Sequence, residues 1–258
     1  MSLLALIQAR DEERFLPGWL ENIAPGVDGI IALDDGSRDR TPDILRAHPK
    51  VVEVLQNPPG APWDERANQV ALVRASRRHG ASWLLCIDAD ERLERSFGAR
   101  VRPLVADAER EGIAVLRFQL RELWGDRGHY RVDGPWRDKT RHRLFRNDPT
   151  HRRFDPRPLH RFWMPLELVG QLTTASRDAG LNLYHLRMIA AHDRAERVEK
   201  YEALDPEHLY QKVGYQYLND ERGLALEAVP PDRDFLPLDD PAAGPAPAVA
   251  PAAGQAVR

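Results

Sequence analysis

The chain places two acidic stretches directly after apolar runs, and their spacing admits specific chemistry. Asp88-Ala89-Asp90-Glu91 follows the run Trp83–Ile87. On an extended segment, side chains at i and i+2 point the same way, so Asp88 and Asp90 can converge on one hard divalent cation. Such a cation, bridging a diphosphate, neutralises charge on a departing phosphate. Asp34-Asp35-Gly36-Ser37 closes a second apolar run that begins at Gly29. Its carboxylates can accept hydrogen bonds from a ribose or a base N–H, and its Gly-Ser pair lets backbone approach a ligand. Taken alone, the same residues favour an ordinary Asx turn, of which this composition is typical. His185 ends the alternating stretch Leu181–His185. It is open to two readings, a packed histidine or a neutral imidazole completing an Asp/His metal set.

These residues need a frame that gathers strand ends. Leu3–Ala9, Gly29–Asp35, Val51–Leu55 and Trp83–Ile87 read as buried strands. Helical segments separate them: Glu13–Ile23, one opening at Thr41-Pro42-Asp43, and Asp64–His79, stopped by Gly80. This alternation predicts an α/β fold with a mostly parallel central sheet flanked by helices. Ligands in such sheets bind beyond the carboxyl ends of the strands, where both acidic stretches fall. Downstream come a helix over Phe97–Glu111, strands over Ile113–Arg121, His142–Arg146 and Leu181–Leu186, and a charged helix over Ala191–Leu204. Glu122–Arg161, rich in Trp, Arg, Gly and Pro, predicts a small mixed region. The expected organisation is one domain over 1–229, with a nucleotide-binding half (1–112) and an acceptor half (113–229). Residues 230–258 form a Pro/Ala-rich tail with little to bury, expected to be disordered. Removing Pro237–Arg258 is therefore expected to leave the melting temperature unchanged.

LIQARDEERFLPGWLENI, then ALDDGSRDRT, then ASWLLCIDADERL, in this order and spacing, resembles the family-2 inverting glycosyltransferases of the GT-A fold. HRLFRN and LYHLRMIAAHDRAERVEKYEALDP look like the C-terminal part of bacterial members. The resemblance implies a nucleotide-diphosphate sugar donor, a Mg2+ or Mn2+ ion and inversion at the anomeric carbon. It places Ala9 and Arg10 at the base pocket, Asp35 with its neighbour Asp34 on base or ribose, and Asp88 on ribose or metal. It makes Asp90 the principal metal ligand and His185 a further one. Arg187, and more weakly Arg194 or Arg197, would reach the diphosphate.

Inversion by direct displacement needs a base to deprotonate the acceptor hydroxyl. Relatives often carry His-Glu or an acidic pair after the RLFR strand, whereas this chain has Leu159-His160-Arg161. Asp138, in the aromatic and basic setting Trp136-Arg137-Asp138-Lys139, is the favoured substitute. A structural partner for a nearby arginine is an equal reading of it. Asp133, Glu122, Asp155 and His160 are alternatives. Trp124, Trp136 and Trp163 are candidates for stacking on an acceptor sugar, with packing as the competing role.

Other functions fit less well. A nucleotidyltransferase wants a Gly-rich phosphate loop after the first strand, where this chain has Arg10-Asp11-Glu12-Glu13. A phosphatase would need a nucleophilic Asp after an early strand with a downstream lysine. A degenerate protein that binds a nucleotide sugar without turning it over is the non-enzymatic alternative. The net charge of −3 argues against a general nucleic-acid partner. Arg117–Arg161 nevertheless holds thirteen Arg/Lys against six Asp/Glu, either a solvated face or a surface for phosphate. Cys86, the single cysteine, rules out an intramolecular disulfide. No apolar run reaches the roughly 20 residues of a membrane span. A cytoplasmic location is expected, with peripheral membrane contact open. The acceptor expected is a saccharide, a lipid-linked saccharide or another hydroxyl compound.

Overall fold

The computed structural model describes residues 2–157 and 162–244. Its first half is built from β1 (Leu3–Ala9), α1 (Leu16–Ile23), β2 (Gly29–Asp34), α2 (Thr41–Ala47), β3 (Val51–Gln56), α3 (Glu65–Arg78) and β4 (Trp83–Cys86). Pro17 in the first turn of α1 sets that helix's start, later than Glu13, and Leu16, Trp19, Leu20 and Ile23 form its buried stripe. Asp64 caps α3 by accepting the Ala67 N–H at 2.9 Å. The chain then adds β5 (Glu91–Leu93), α4 (Phe97–Arg110), β6 (Val115–Glu122), β7 (His129–Arg131), β8 (Thr140–Arg146), short turns α5 (Leu166–Val169) and α6 (Leu172–Ala175), β9 (Ser176–His185), α7 (Ala191–Leu204) and β10 (Leu226–Ala228).

Eight strands form one sheet in the order β3-β2-β1-β4-β8-β6-β9-β5, and β7 pairs with β10 in a separate ribbon. β3, β2, β1 and β4 are parallel. β8 runs against both β4 and β6, and β9 runs parallel to β6. Six strands therefore point one way, and only β8 and β5 oppose them. This is the expected α/β class with a mostly parallel sheet. The two halves interleave, because β5 from the first lies beyond β9 from the second.

The sheet is curled, and chain length shows why. Only four residues link Cys86 in β4 to Glu91 in β5, a reach of at most about 18 Å. A flat sheet would separate these strands by four intervals of about 4.8 Å, roughly 19 Å. The link is also not extended, since the Glu91 N–H folds back onto the Asp88 carbonyl at 3.0 Å. The far edge must therefore curve toward β4. That curvature brings the ends of β6 and β9 around Asp88–Asp90.

The C-terminal boundary differs from the sequence expectation. Residues 230–244 pack against the domain instead of forming a free tail; 245–258 lie outside the described residues. Phe235 is fully buried against Tyr184, at 5.3 Å between ring centres. Arg127 donates to the carbonyls of Phe235 (2.8 Å) and Pro237 (3.1 Å), and Asp240 pairs with Arg92 at 2.7 Å with both side chains inaccessible. Composition counted apolar bulk and missed a strap held by arginine–backbone bonds. β5, β7 and β10, three residues each, are too short for periodicity to reveal. Among the described residues no helix is long and apolar enough to cross a membrane.

Candidate active site

The common direction of six strands collects their carboxyl ends along one edge. Arg10 follows β1, Asp34 and Asp35 end and follow β2, Asn57 follows β3, Asp88–Asp90 follows β4, Glu122 ends β6 and His185 ends β9. His185 is doubly registered, opposite Glu122 in β6 and Glu91 in β5.

At the β2 end the two aspartates part ways. Asp34 is the turn residue: its carboxylate accepts the Ser37 N–H at 3.2 Å and the Gln56 amide at 3.2 Å. Asp35 instead accepts from the Asn57 amide at 2.7 Å and pairs with Arg10 at 2.9 Å, only 1% exposed. Asn57 also donates to Asn68 at 2.9 Å. Gly36 has φ +76, and a Cβ there would lie 2.6 Å from the Pro58 carbonyl. The close backbone approach foreseen for a ligand is thus made by the Asn57–Asp64 loop. That loop covers Asp35, tethered by Arg10 to the Ala61 carbonyl (2.9 Å), with Arg10 and Lys200 set over Trp63 at 5.3 and 4.6 Å. Ala9 is buried and serves through its carbonyl, which accepts the Asp35 N–H at 2.8 Å.

Around Asp90 lies a dense set of ion pairs. Asp90 Oδ2 accepts from Arg187 Nε at 2.6 Å and stands 3.4 Å from His185 Nε2. Arg187 also grips both carboxylate oxygens of Glu12, at 2.7 and 2.6 Å. His185 Nδ1 is 2.6 Å from Glu122, and its Nε2 lies 2.7 Å from Arg197. Lys139 reaches Glu122 at 3.2 Å. Asp88 points elsewhere: it pairs with Arg143, which also holds Glu91 at 2.5 Å. Against burial, His185 and Arg187 hold Asp90 well below the usual carboxylate range. Burial opposes charge on His185, but Glu122 and Asp90 raise it to about 9. Burial and the Asp90 charge lift Glu12 to about 7 despite Arg187. Five carboxylates (Glu12, Asp88, Asp90, Glu91, Glu122) thus face three arginines (Arg143, Arg187, Arg197) and two lysines (Lys139, Lys200).

Two groups that could hold a divalent cation lie side by side. Asp90 Oδ2 and His185 Nε2, 3.4 Å apart, are near the separation of about 3 Å for adjacent oxygen or nitrogen donors on one small ion. Glu122 on Nδ1 would aim Nε2 toward the ion, a common carboxylate–histidine arrangement. Asp88 does not join them, since Arg143 takes its carboxylate. Among the described residues no group of three His, Cys, Asp or Glu is gathered for a metal. Asp88 and Asp90 thus do not converge: Asp88 turns to Arg143, and Asp90 lies beside His185. Their use as ligands requires Arg187 and Arg197 to exchange partners.

Asp138 is exposed on the turn before β8, and His160 lies outside the described residues. Trp124, Trp136 and Trp163 are 3–4% exposed, so their role here is packing and not stacking on an acceptor. Trp124 and Trp136 meet edge to face at 6.0 Å, and Arg131 lies over both rings at 4.7 and 4.8 Å. Much of the basic excess is consumed internally, with Arg131 on Asp133, Arg143 on Asp88 and Glu91, and Arg157 on Asp155. Arg194 turns from the site to Glu221 and the Met188 carbonyl. The sequence reading missed Glu12, Arg143 and Lys200, charged residues whose relevance comes only from tertiary pairing.

No family model matches the chain. An uncharacterized protein of Mycobacterium tuberculosis and its Mycobacterium bovis counterpart are 28% identical over 252 residues, covering 93% of this chain and 58% of theirs. A TPR repeat-containing protein of Synechococcus elongatus is 32% identical over 151 residues, covering 58% of this chain and 32% of its own. Among solved structures, Staphylococcus aureus TarS with UDP-GlcNAc shares 17% identity over 48% of this chain and 35% of that one, with a TM-score of 0.39. Glucosyl-3-phosphoglycerate synthase of Mycobacterium tuberculosis, with Mn2+, UDP and phosphoglyceric acid, shares 23% over 48% of this chain and 43% of its own, with a TM-score of 0.33. Likenesses this distant carry no weight for function, and the chain spans less than three fifths of the mycobacterial relatives it matches.

Proposed function

We propose that this chain transfers a sugar, with inversion, from a nucleotide-diphosphate donor to a hydroxyl acceptor. One observation carries the reading: a single sheet edge joins a polar set, Arg10, Asp35, Asn57 and Asn68, to a cationic set, Arg187, Arg197 and Lys200, flanking Asp90 and His185. Asp35 and Asn57 would take base or ribose once the Pro58–Trp63 loop lifts. Its tether, one hydrogen bond and two cation–π contacts of about 0.5–2 kcal/mol each, is weak enough for that. Arg187, Arg197 and Lys200 would turn from carboxylates to the diphosphate. That exchange replaces one charge-assisted pairing by another and frees Asp90 and His185. A Mg2+ or Mn2+ ion held there would offset charge on the leaving diphosphate. Glu122, committed to His185 and Lys139, orients the imidazole. Asp138 remains the proposed base, because it is exposed while its neighbour Lys139 reaches the cluster at Glu122. The Arg10–Glu13 turn, acidic and glycine-free, lacks the phosphate loop that nucleotidyl transfer would use. The single cysteine, buried, suits a reducing, cytoplasmic setting.

The test is transfer, hydrolysis and thermal shift with UDP-, GDP- and dTDP-sugars, in Mn2+ and in EDTA. One nucleotide class is expected to bind and turn over, with turnover lost in EDTA. If no donor binds and EDTA changes nothing, the transferase reading falls; binding without turnover would leave a nucleotide-sugar-binding protein. Asp35→Ala is expected to raise the donor KM roughly 10- to 100-fold, the weight of one charged hydrogen bond. An unchanged KM would remove Asp35 from the donor site.

A further inference from the structure

The C-terminal strap reaches the back of the Asp88–Asp90 turn through one buried guanidinium. Arg92, two residues beyond Asp90, is completely inaccessible. Its Nη1 donates to the carbonyls of Ala89 at 2.8 Å and Glu91 at 2.9 Å, the residues that bracket Asp90. Its Nη2 donates to the Phe15 carbonyl at 2.8 Å, at the end of the turn that carries Glu12. Nε, the remaining corner, is held by Asp240 at 2.7 Å. One planar fork thus ties together both segments that present carboxylates to Arg187, and the strap supplies its counter-charge.

Other residues are shaped around this contact. Gly18 lies inside α1, where glycine costs about 1 kcal/mol relative to alanine. A Cβ at position 18 would sit 2.3 Å from Asp240 Oδ2, so only glycine admits the carboxylate. One turn along the same face, Asn22 donates to the carbonyls of Leu93 and Leu236, both at 2.9 Å, and accepts the Leu93 N–H at 2.8 Å. Asp240 is aimed by its own turn, accepting the Ala242 N–H at 3.0 Å. Helix α1, the strap and β5 are therefore locked around Arg92 with little freedom to rotate it.

We propose that Asp240, acting through Arg92, is a positioning residue for the Asp88–Asp90 turn, which makes the C-terminal strap a working part of the donor site. An uncompensated Arg92 would draw on the carbonyls of Ala89 and Glu91 differently, and the Asp90 carboxylate would shift with them. Displacements of about 1 Å at reacting groups are enough to change rates about 100-fold. The functional consequence rests on the transferase reading above; the structural one does not.

The test compares wild type with Asp240→Asn, with Gly18→Ala, which crowds the carboxylate while keeping both charges, and with the double variant Arg92→Met/Asp240→Leu. The double variant removes both buried charges together, so its melting temperature is expected to recover toward wild type. Lacking the guanidinium, it cannot hold the two carbonyls. Below the melting point of each variant, hydrogen exchange over Cys86–Leu93 is expected to rise at least tenfold in all three, with β3 unchanged. Nucleoside-diphosphate Kd and donor KM should rise together by roughly 10- to 100-fold. A purely structural Asp240 would lower melting temperature and active fraction but leave exchange in this segment, Kd and KM untouched. Recovery of all readouts with stability in the double variant would likewise overturn the proposal. If wild type binds no nucleotide, the transferase reading fails, while the exchange result still decides whether Asp240 positions the turn.

Discussion

Under the proposed function, Asp90→Asn is expected to reduce sugar transfer by at least roughly a thousandfold, because several kcal/mol of transition-state charge stabilisation would depend on that carboxylate. Asp90 lies between His185 at 3.4 Å and Arg187 at 2.6 Å, at the centre of the cluster. The near-isosteric amide keeps the volume and the backbone bond from Leu186 N–H to the residue-90 carbonyl, 2.8 Å. Arg187 also keeps its two-pronged contact with Glu12 and His185 keeps Glu122, so neither is stranded. Stability should fall far less than activity. Initial rates at saturating donor and acceptor, with circular dichroism on the same sample, check both halves of the expectation. A variant with wild-type turnover would show that Asp90 serves the fold and not the reaction.

Truncation after Leu236 should be the most damaging change to stability. It removes Asp240 and leaves the Arg92 guanidinium buried without a counter-ion, a loss of about 3–5 kcal/mol. At about 2–4 °C per kcal/mol for a domain of this size, melting should fall by roughly 6–20 °C. Two of the carbonyl acceptors of Arg127, on Pro237 and Leu238, leave as well. The sequence expectation was the reverse, a tail whose removal changes nothing. Differential scanning calorimetry of the truncated chain decides between them; an unchanged transition would mean that Arg92 finds other compensation.

The contrast shows what kind of information each level holds. A Pro/Ala-rich stretch offers few apolar side chains, and counting them predicts disorder. Its attachment comes from one aromatic ring, Phe235, buried on Tyr184, from backbone carbonyls given to Arg127 and from one carboxylate given to Arg92. Nothing in the spacing of Asp240 marks it as the partner of a residue 148 positions away. The same limit separated Asp34 from Asp35. Adjacent in sequence and identical in chemistry, they differ because one faces its own turn and the other faces Arg10 and Asn57.

The sequence by itself determined the α/β alternation, the strand ends that carry Arg10, Asp35, Asp88–Asp90 and His185, and the helix stops. Each depends on local periodicity or on a residue next to a strand end, and such features are written in contiguous residues. Only the tertiary structure decided that Asp88 belongs with Arg143, that Asp90 belongs with His185 and Arg187, and that Glu122 stands behind the imidazole. The first and last pairings come from neighbouring strands, β4 with β8 and β6 with β9, and the second from the curl of the sheet, which brings an edge strand back beside the turn leaving β4. Curvature is a collective property of eight strands packed between helices, and no window of sequence contains it.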